Sequence, residues 1–250
     1  NASKDTSVSA GNNSTETVGG NETRSIGANH KLDVTGAKAA NSADQIWKVG
    51  GSQKVGVGTY MVDQNGGAHS LTVAGNRDLT IGGDHRRLVG GSSSLKVSGM
   101  QVDLVAGSVT DSTTAAFSDT IGAALIEMAA GGRNVVCTDR SETVGAVKAV
   151  LATGGRGVEV GADMTHNVAA AVAIKTKAGL NDNSDGTITD VAAGAQVVKA
   201  TNVTFTAETL LTVVCGGSTL TLTPGSVTLA GATIKLDGVA PQTAAMIKDN

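Results

Sequence analysis

The sequence predicts an all-β fold: an intertwined, trimeric triple-stranded β-helix, a triangular β-prism built of octapeptide repeats. Three observations carry that expectation. The 250 residues include 34 Gly but only 1 Trp, 1 Tyr and 2 Phe, whereas an ordinary core of this size leans on aromatic side chains. Val, Ile, Leu, Ala and Thr take that part here, and the 2 Pro leave long stretches in which every backbone N–H can be paired. Third, an eight-residue repeat runs through the chain. Leu71-Thr-Val73-Ala-Gly75 returns as Leu79-Thr-Ile81-Gly-Gly83, Arg87-Leu-Val89-Gly-Gly91, Leu95-Lys-Val97-Ser-Gly99 and Asp103-Leu-Val105-Ala-Gly107.

Each octad specifies one short strand and one corner. Side chains alternate along a strand, so Leu71 and Val73 point to the same side. The Gly that follows is expected to take a positive φ and turn the chain. Toward the N-terminus the repeat passes through Asn65-Gly66-Gly67, Val57-Gly58 and Val49-Gly50-Gly51. It then slips by one residue and resumes at Val34-Thr-Gly36, Ile26-Gly27 and Val18-Gly19-Gly20.

Beyond residue 107 an echo continues at Ile121-Gly122, Val144-Gly145 and Val160-Gly161. Alternating pairs follow at Val203/Phe205, Leu211/Val213, Leu220/Leu222, Val227/Leu229 and Ile234/Leu236. The chain is therefore divided into a regular shaft over 1–110, a less regular continuation over 111–200 and a C-terminal prism segment over 201–250. The stretch from Thr113 to Ala130 also fits an Ala-rich amphipathic helix. Ile121 falls two octads after Val105, however, so strands are expected, with the helix as the alternative.

A single octad strand cannot bury its apolar edge alone, and an octad is expected to be too short to close a coil within one chain. Three chains wound about one axis solve both problems and leave strand edges only at the ends. Strands spaced about 4.8 Å apart would then advance each chain about 14 Å per 24 residues, for a needle of about 150 Å.

Composition excludes several function classes. The net charge of −3 with 16% charged residues lacks the basic footprint needed to neutralise a phosphate backbone, so nucleic acid is not an expected partner. The longest apolar run, Val168 to Ile174, is far below the roughly 20 residues of a spanning helix. The start at Asn1, without a leader, suggests a piece of a longer protein. Cys137 and Cys215 stand far apart, which points to free buried thiols.

No catalytic constellation emerges, and no cofactor or metal is expected. His30, His69, His85 and His166 are dispersed, without a Ser or Cys partner at a recognised spacing. They are taken as outward polar positions, the alternative being a lumenal ion site where a threefold axis gathers three copies of one His. Asn181-Asp-Asn183-Ser-Asp185-Gly186 opens like a calcium loop, but its twelfth position is Ala192 where a bidentate Glu is needed. That segment is expected to be a solvated turn. The Gly-Gly pairs lack a following Lys-Ser/Thr and are corners. Glu16, Arg24, Arg87 and Asp103 occupy the place of Leu71 and are expected to face a hydrated lumen, because unpaired burial would cost several kcal/mol.

Val18-Gly-Gly-Asn-Glu-Thr23, Ile26-Gly-Ala-Asn-His30, Ile81-Gly-Gly-Asp-His85, the run from Gly216 to Gly225 and Ile234-Lys-Leu-Asp-Gly238 resemble the C-terminal region of VgrG proteins. These are the trimeric spikes of bacterial type VI secretion systems, similar to the central spike of contractile phage tails. The resemblance covers essentially the whole chain. It implies a non-enzymatic homotrimer, assembled in the bacterial cytoplasm and driven out by a contracting sheath to puncture a target membrane. The family's base, which docks on the tube protein, would lie upstream of Asn1.

Some relatives end in an iron-binding His-x-His apex. Here the end, Gln242 to Asn250, has no His, which favours a blunt tip capped by a PAAR-type protein or an effector. Met246, Ile247, Lys248, Asp249 and Asn250 are the expected docking residues, through strand addition. Two alternatives stand beside this reading: a phage tail central spike, and an extracellular adhesin or glycan-processing β-solenoid.

Overall fold

A computed structural model describes residues 6–10, 14–34 and 44–230. Strand follows strand with three-residue corners between. Gln45–Val49, Gln53–Val57, Met61–Asn65 and His69–Val73 begin eight residues apart. Each strand pairs in parallel with the strand one full turn on. Gln45 lies opposite His69 and His69 opposite Ser93, so a turn takes 24 residues.

The result is a parallel β-solenoid with three flat walls of nine, eleven and eight strands. Wall I runs from Thr6–Ala10 to Asn202–Ala207, wall II from Ser14–Val18 to Ser226–Ala230, and wall III from Glu22–Ile26 to Gln196–Lys199. No helix occurs among the described residues. The segment with two readings is strand: Val109–Thr113, Ala116–Ile121 and Leu125–Ala129. The turn after Ser14 is longer, since Ser14 pairs with Gln45; its extra residues include 35–43, outside the described set. Later turns shorten by one residue, as where Ala116 lies opposite Asp139.

Two expectations are corrected. The first concerns closure. Successive turns of the same chain lie against each other, so an octad is long enough to close a coil. Five-residue strands of about 17 Å make a triangle whose inward side chains meet across the lumen. One core cluster accordingly joins Trp47, Leu71 and Leu95 of wall II to Leu125, Val150 and Val172 of wall III and Leu180 of wall I. Nine stacked strands at about 4.8 Å give the coil a length of about 40 Å, against the 150 Å of an interwoven needle.

The second concerns the corner glycines. Among the described residues Gly216 alone has a positive φ, 57°. Stacking is what demands glycine elsewhere: a Cβ on Gly82 would stand 2.0 Å from the Gly58 carbonyl oxygen, and one on Gly58 would stand 2.1 Å from that of Gly27. The Asn or Asp after the glycines completes the corner. Asn76 Oδ1 accepts from the Met100 N–H at 2.9 Å, Asp84 Oδ1 from Ser108 N–H at 2.7 Å, and Asp163 Oδ1 from Thr187 N–H at 2.9 Å. One side chain per corner thus pairs a backbone donor of the next turn, which removes an otherwise orphaned group.

Wall II outruns the other two. Leu210–Cys215 is its last parallel strand. The chain then reverses at Gly216-Gly217 into Ser218–Thr223 and at Pro224-Gly225 into Ser226–Ala230, both antiparallel. The expected docking residues Met246 to Asn250 lie outside the described residues.

Candidate functional site

The lumen holds the chemistry of this chain. First, third and fifth residues of each five-residue strand face inward. The fifth is mostly apolar, with Val49, Val57, Val73, Ile81, Val97 and Val105 at most 5% exposed. The first and third positions mix apolar and charged groups, and the charges concentrate between Arg77 and Asp190.

Those charges pair across and along the coil. Arg77 meets Asp103 at 2.7 Å, Arg87 meets Asp111 at 3.2 Å, and Arg133 meets Glu127 at 2.6 Å. Glu142 sits between Arg140 at 2.8 Å and Lys148 at 2.5 Å, and Arg156 holds Asp182 at 2.5 Å. The Phe117 ring lies between two guanidinium groups, Arg87 at 4.8 Å and Arg140 at 5.0 Å from its centroid, a cation–π arrangement that shields both cations from the apolar wall. Nearer the N-terminus Arg24 pairs with Glu16 and Glu22 and covers Trp47 at 4.1 Å.

Burial and pairing set the protonation states. Burial works against the Glu142 carboxylate, but Lys148, His166 and Arg140 outweigh it and hold the group well below its ordinary value. Asp111 is lowered in the same way, burial being overcome by Arg87 and His85. Asp119 and Asp63 lack such close partners: burial, only partly offset by Arg140 and Arg87 for the first and by Arg87 and Arg77 for the second, pushes them up to about 7 and about 6. His69 and His85 are pushed down by burial to about 3 and about 4. Both are therefore neutral at physiological pH.

A cavity of about 40 Å³ lies within this belt, lined by Arg77, His85, Arg87, Asp103, Asp119 and Glu127 among others. That is room for about three waters. His166 Nδ1 lies 2.9 Å from Asp190 Oδ1, while its Nε2 accepts from Arg140 Nε at 3.3 Å. Such a pair orients a catalytic base elsewhere, but here both imidazole nitrogens are engaged with buried ions, and His166 and Asp190 are themselves buried. The arrangement is an ion-pair lattice that fixes the walls in register.

Several sequence expectations change place. The four histidines were expected to face outward; His30, His69 and His166 are buried, and His85 lines the lumenal cavity. His69 stands two residues before Leu71, so strand alternation carries it to the same inward side. Arg24, Arg87 and Asp103 do face inward, but they are accommodated chiefly by pairing within the chain, beside small cavities. Glu16 stays half exposed at the first described turn of wall II.

The calcium-like segment is not a solvated turn. Gly179–Ser184 is a strand of wall I, Asp182 points inward to Arg156, and only Asp185 and Gly186 form the corner. No group of three His, Cys, Asp or Glu side chains that could hold a metal occurs among the described residues. Cys137 and Cys215 are both free. Burial pushes the Cys137 thiol up to about 11, which makes it unreactive; Cys215 is only half-buried.

Comparison of the chain with family models, curated proteins and solved structures finds no match.

Proposed function

We propose that the protein is a mechanical element, the shaft of a membrane-puncturing spike of the type VI secretion kind, which carries a PAAR-type tip protein or an effector at its C-terminal end. The observation that supports this reading is the continuity of the walls. Three sheets run unbroken past one another, every corner is stacked on the corner of the turn before, and an ion-pair lattice locks the lumen. A body of this kind resists bending and axial load. It offers water no cleft in which a substrate would meet a reactive group.

The assembled form we propose is a homotrimer. The same strands and corners then alternate among three chains, and each strand lies against the one eight residues on in the next chain. On this reading the spike assembles in the bacterial cytoplasm on an upstream base and tube protein and is expelled through the target membrane. A phage tail central spike is the same reading in another machine.

Closure within one chain is the observation that favours the other class, an extracellular adhesin or glycan-processing solenoid. Against it, Trp47 and Phe117 are buried, and Tyr60, at 44% exposure, is the one aromatic side chain well exposed to a sugar.

Sedimentation equilibrium and small-angle scattering test the assembly. Three chains in a particle of about 150 Å support the interwoven spike. One chain of about 40 Å overturns it in favour of the solitary coil. Recovery of a PAAR-type protein by the full chain but not by a chain ending at residue 240 supports docking at the last residues; equal recovery sinks it.

A further inference from the structure

We propose that Leu210–Cys215, Ser218–Thr223 and Ser226–Ala230 form an assembly surface whose partner is the same three strands of two further copies. Three such sheets close the distal end of the lumen. The inference rests on the trimeric reading above and adds where the copies meet sheet to sheet.

A closed triangular lumen needs three walls, and at this level one chain supplies one. Walls I and III stop at Asn202–Ala207 and Gln196–Lys199, while wall II continues for two more strands beyond Leu210–Cys215. Its core-facing side continues with it. Ile188 lies opposite Leu211, Leu211 opposite Leu222, and Leu222 opposite Val227. In the next column Val213 lies opposite Leu220 and Leu220 opposite Leu229.

Exposure rises along these columns. Ile188 is 0% and Leu211 9% exposed, whereas Leu229 is 46% and Val227 69% exposed. The other side carries Thr212, Thr221 and Thr228 in one row. The sheet thus keeps an inside and an outside after the chain has run out of opposing walls.

Two features identify the occupant as further copies of this chain. No charged residue occurs between Glu208 and Lys235, so the charges that normally guard an open strand edge against its own kind are missing. The surface is also small. Three strands of about six residues present about 300 Å² per face, well under the roughly 800 Å² per partner of a stable complex. A separate protein would hold such a patch weakly. Copies already joined along the shaft meet it at high effective concentration, and cyclic closure covers the same face in each.

Hydrogen exchange on the full chain, read beside sedimentation, tests this. The double variant V227D/L229D changes residues that are exposed in the single chain, so the coil itself should be untouched. In a wild-type trimer the amides of 218–230 should exchange slowly. V227D/L229D should speed them tenfold or more with shaft amides unchanged, and Thr228→Asp, on the opposite side, should leave them slow. Equal protection in V227D/L229D and the wild-type trimer, or equal loss in Thr228→Asp, overturns the inference. A wild-type monomer overturns the trimeric reading itself, and this inference with it.

Discussion

Replacing Asp119 by Asn should stabilise the protein at alkaline pH and leave it nearly unchanged in acid. The carboxyl faces the lumen with Oδ1 unpaired, and burial, against Arg140 and Arg87, raises it from 3.8 to about 7, with Glu142 and Glu127 adding to the rise. The fold therefore keeps a proton that the unfolded chain surrenders above about pH 4. Stability falls as pH rises from about 4 to about 7 and is level above that, where both states are ionised. At about 1.36 kcal/mol per pH unit the interval amounts to about 4 kcal/mol, and the cavity beside the group brings the expected value into the range of about 2–4 kcal/mol.

Asn reproduces the protonated acid in shape and cannot ionise. Urea unfolding followed by circular dichroism between pH 4 and pH 8 should show Asp119→Asn within about 0.5 kcal/mol of wild type at the acid end and more stable by about 2–4 kcal/mol at the alkaline end. An increment independent of pH, or a loss at pH 8, would refute the assignment of Asp119 as a buried acid held neutral.

His69 has the opposite sign. Its imidazole is held neutral in the fold, down to about 3, so stability is lost as pH falls below about 6.5, and His69→Gln should remove about 3 kcal/mol of the acid destabilisation seen at pH 4 in the same titration. Arg156→Leu leaves the Asp182 carboxylate buried without its cation and should cost about 3–5 kcal/mol, while the double variant R156L/D182L should recover most of it, measured by urea midpoints. Gly82→Ala drives a Cβ into the Gly58 carbonyl and should lower stability by about 2–4 kcal/mol. Gly19→Ala, with nothing within 4 Å, should unfold within about 0.5 kcal/mol of wild type.

Much of the fold was legible from one residue type at one spacing. A Val or Ile at the end of each octad, followed by Gly, marks the fifth strand position and the corner, and these are where the structure places Val73, Ile81, Val97 and Val105. What the octad could not show was the partner of each strand. That information sits at longer range, in opposite charges 24 or 26 residues apart: Arg87 with Asp111, His166 with Asp190, Arg77 with Asp103, Arg156 with Asp182.

The histidines were misplaced for a different reason. Residue type suggested a surface, while position parity, with His30 two before Leu32 and His166 two before Val168, pointed inward. Glycine chemistry misled at the corners, because a close approach between turns and a positive φ select the same residue.

A coil that comes back to the same wall only after 24 residues has a ratchet built into its length. Excising one octad would carry every later strand onto the neighbouring wall, setting Arg87 and its successors beside strangers. Excising three would shorten the rod by a single step of about 4.8 Å with all ladders intact. In a solitary coil, shafts of this kind can therefore grow or shrink over evolution only in whole turns, and length itself becomes a counted quantity.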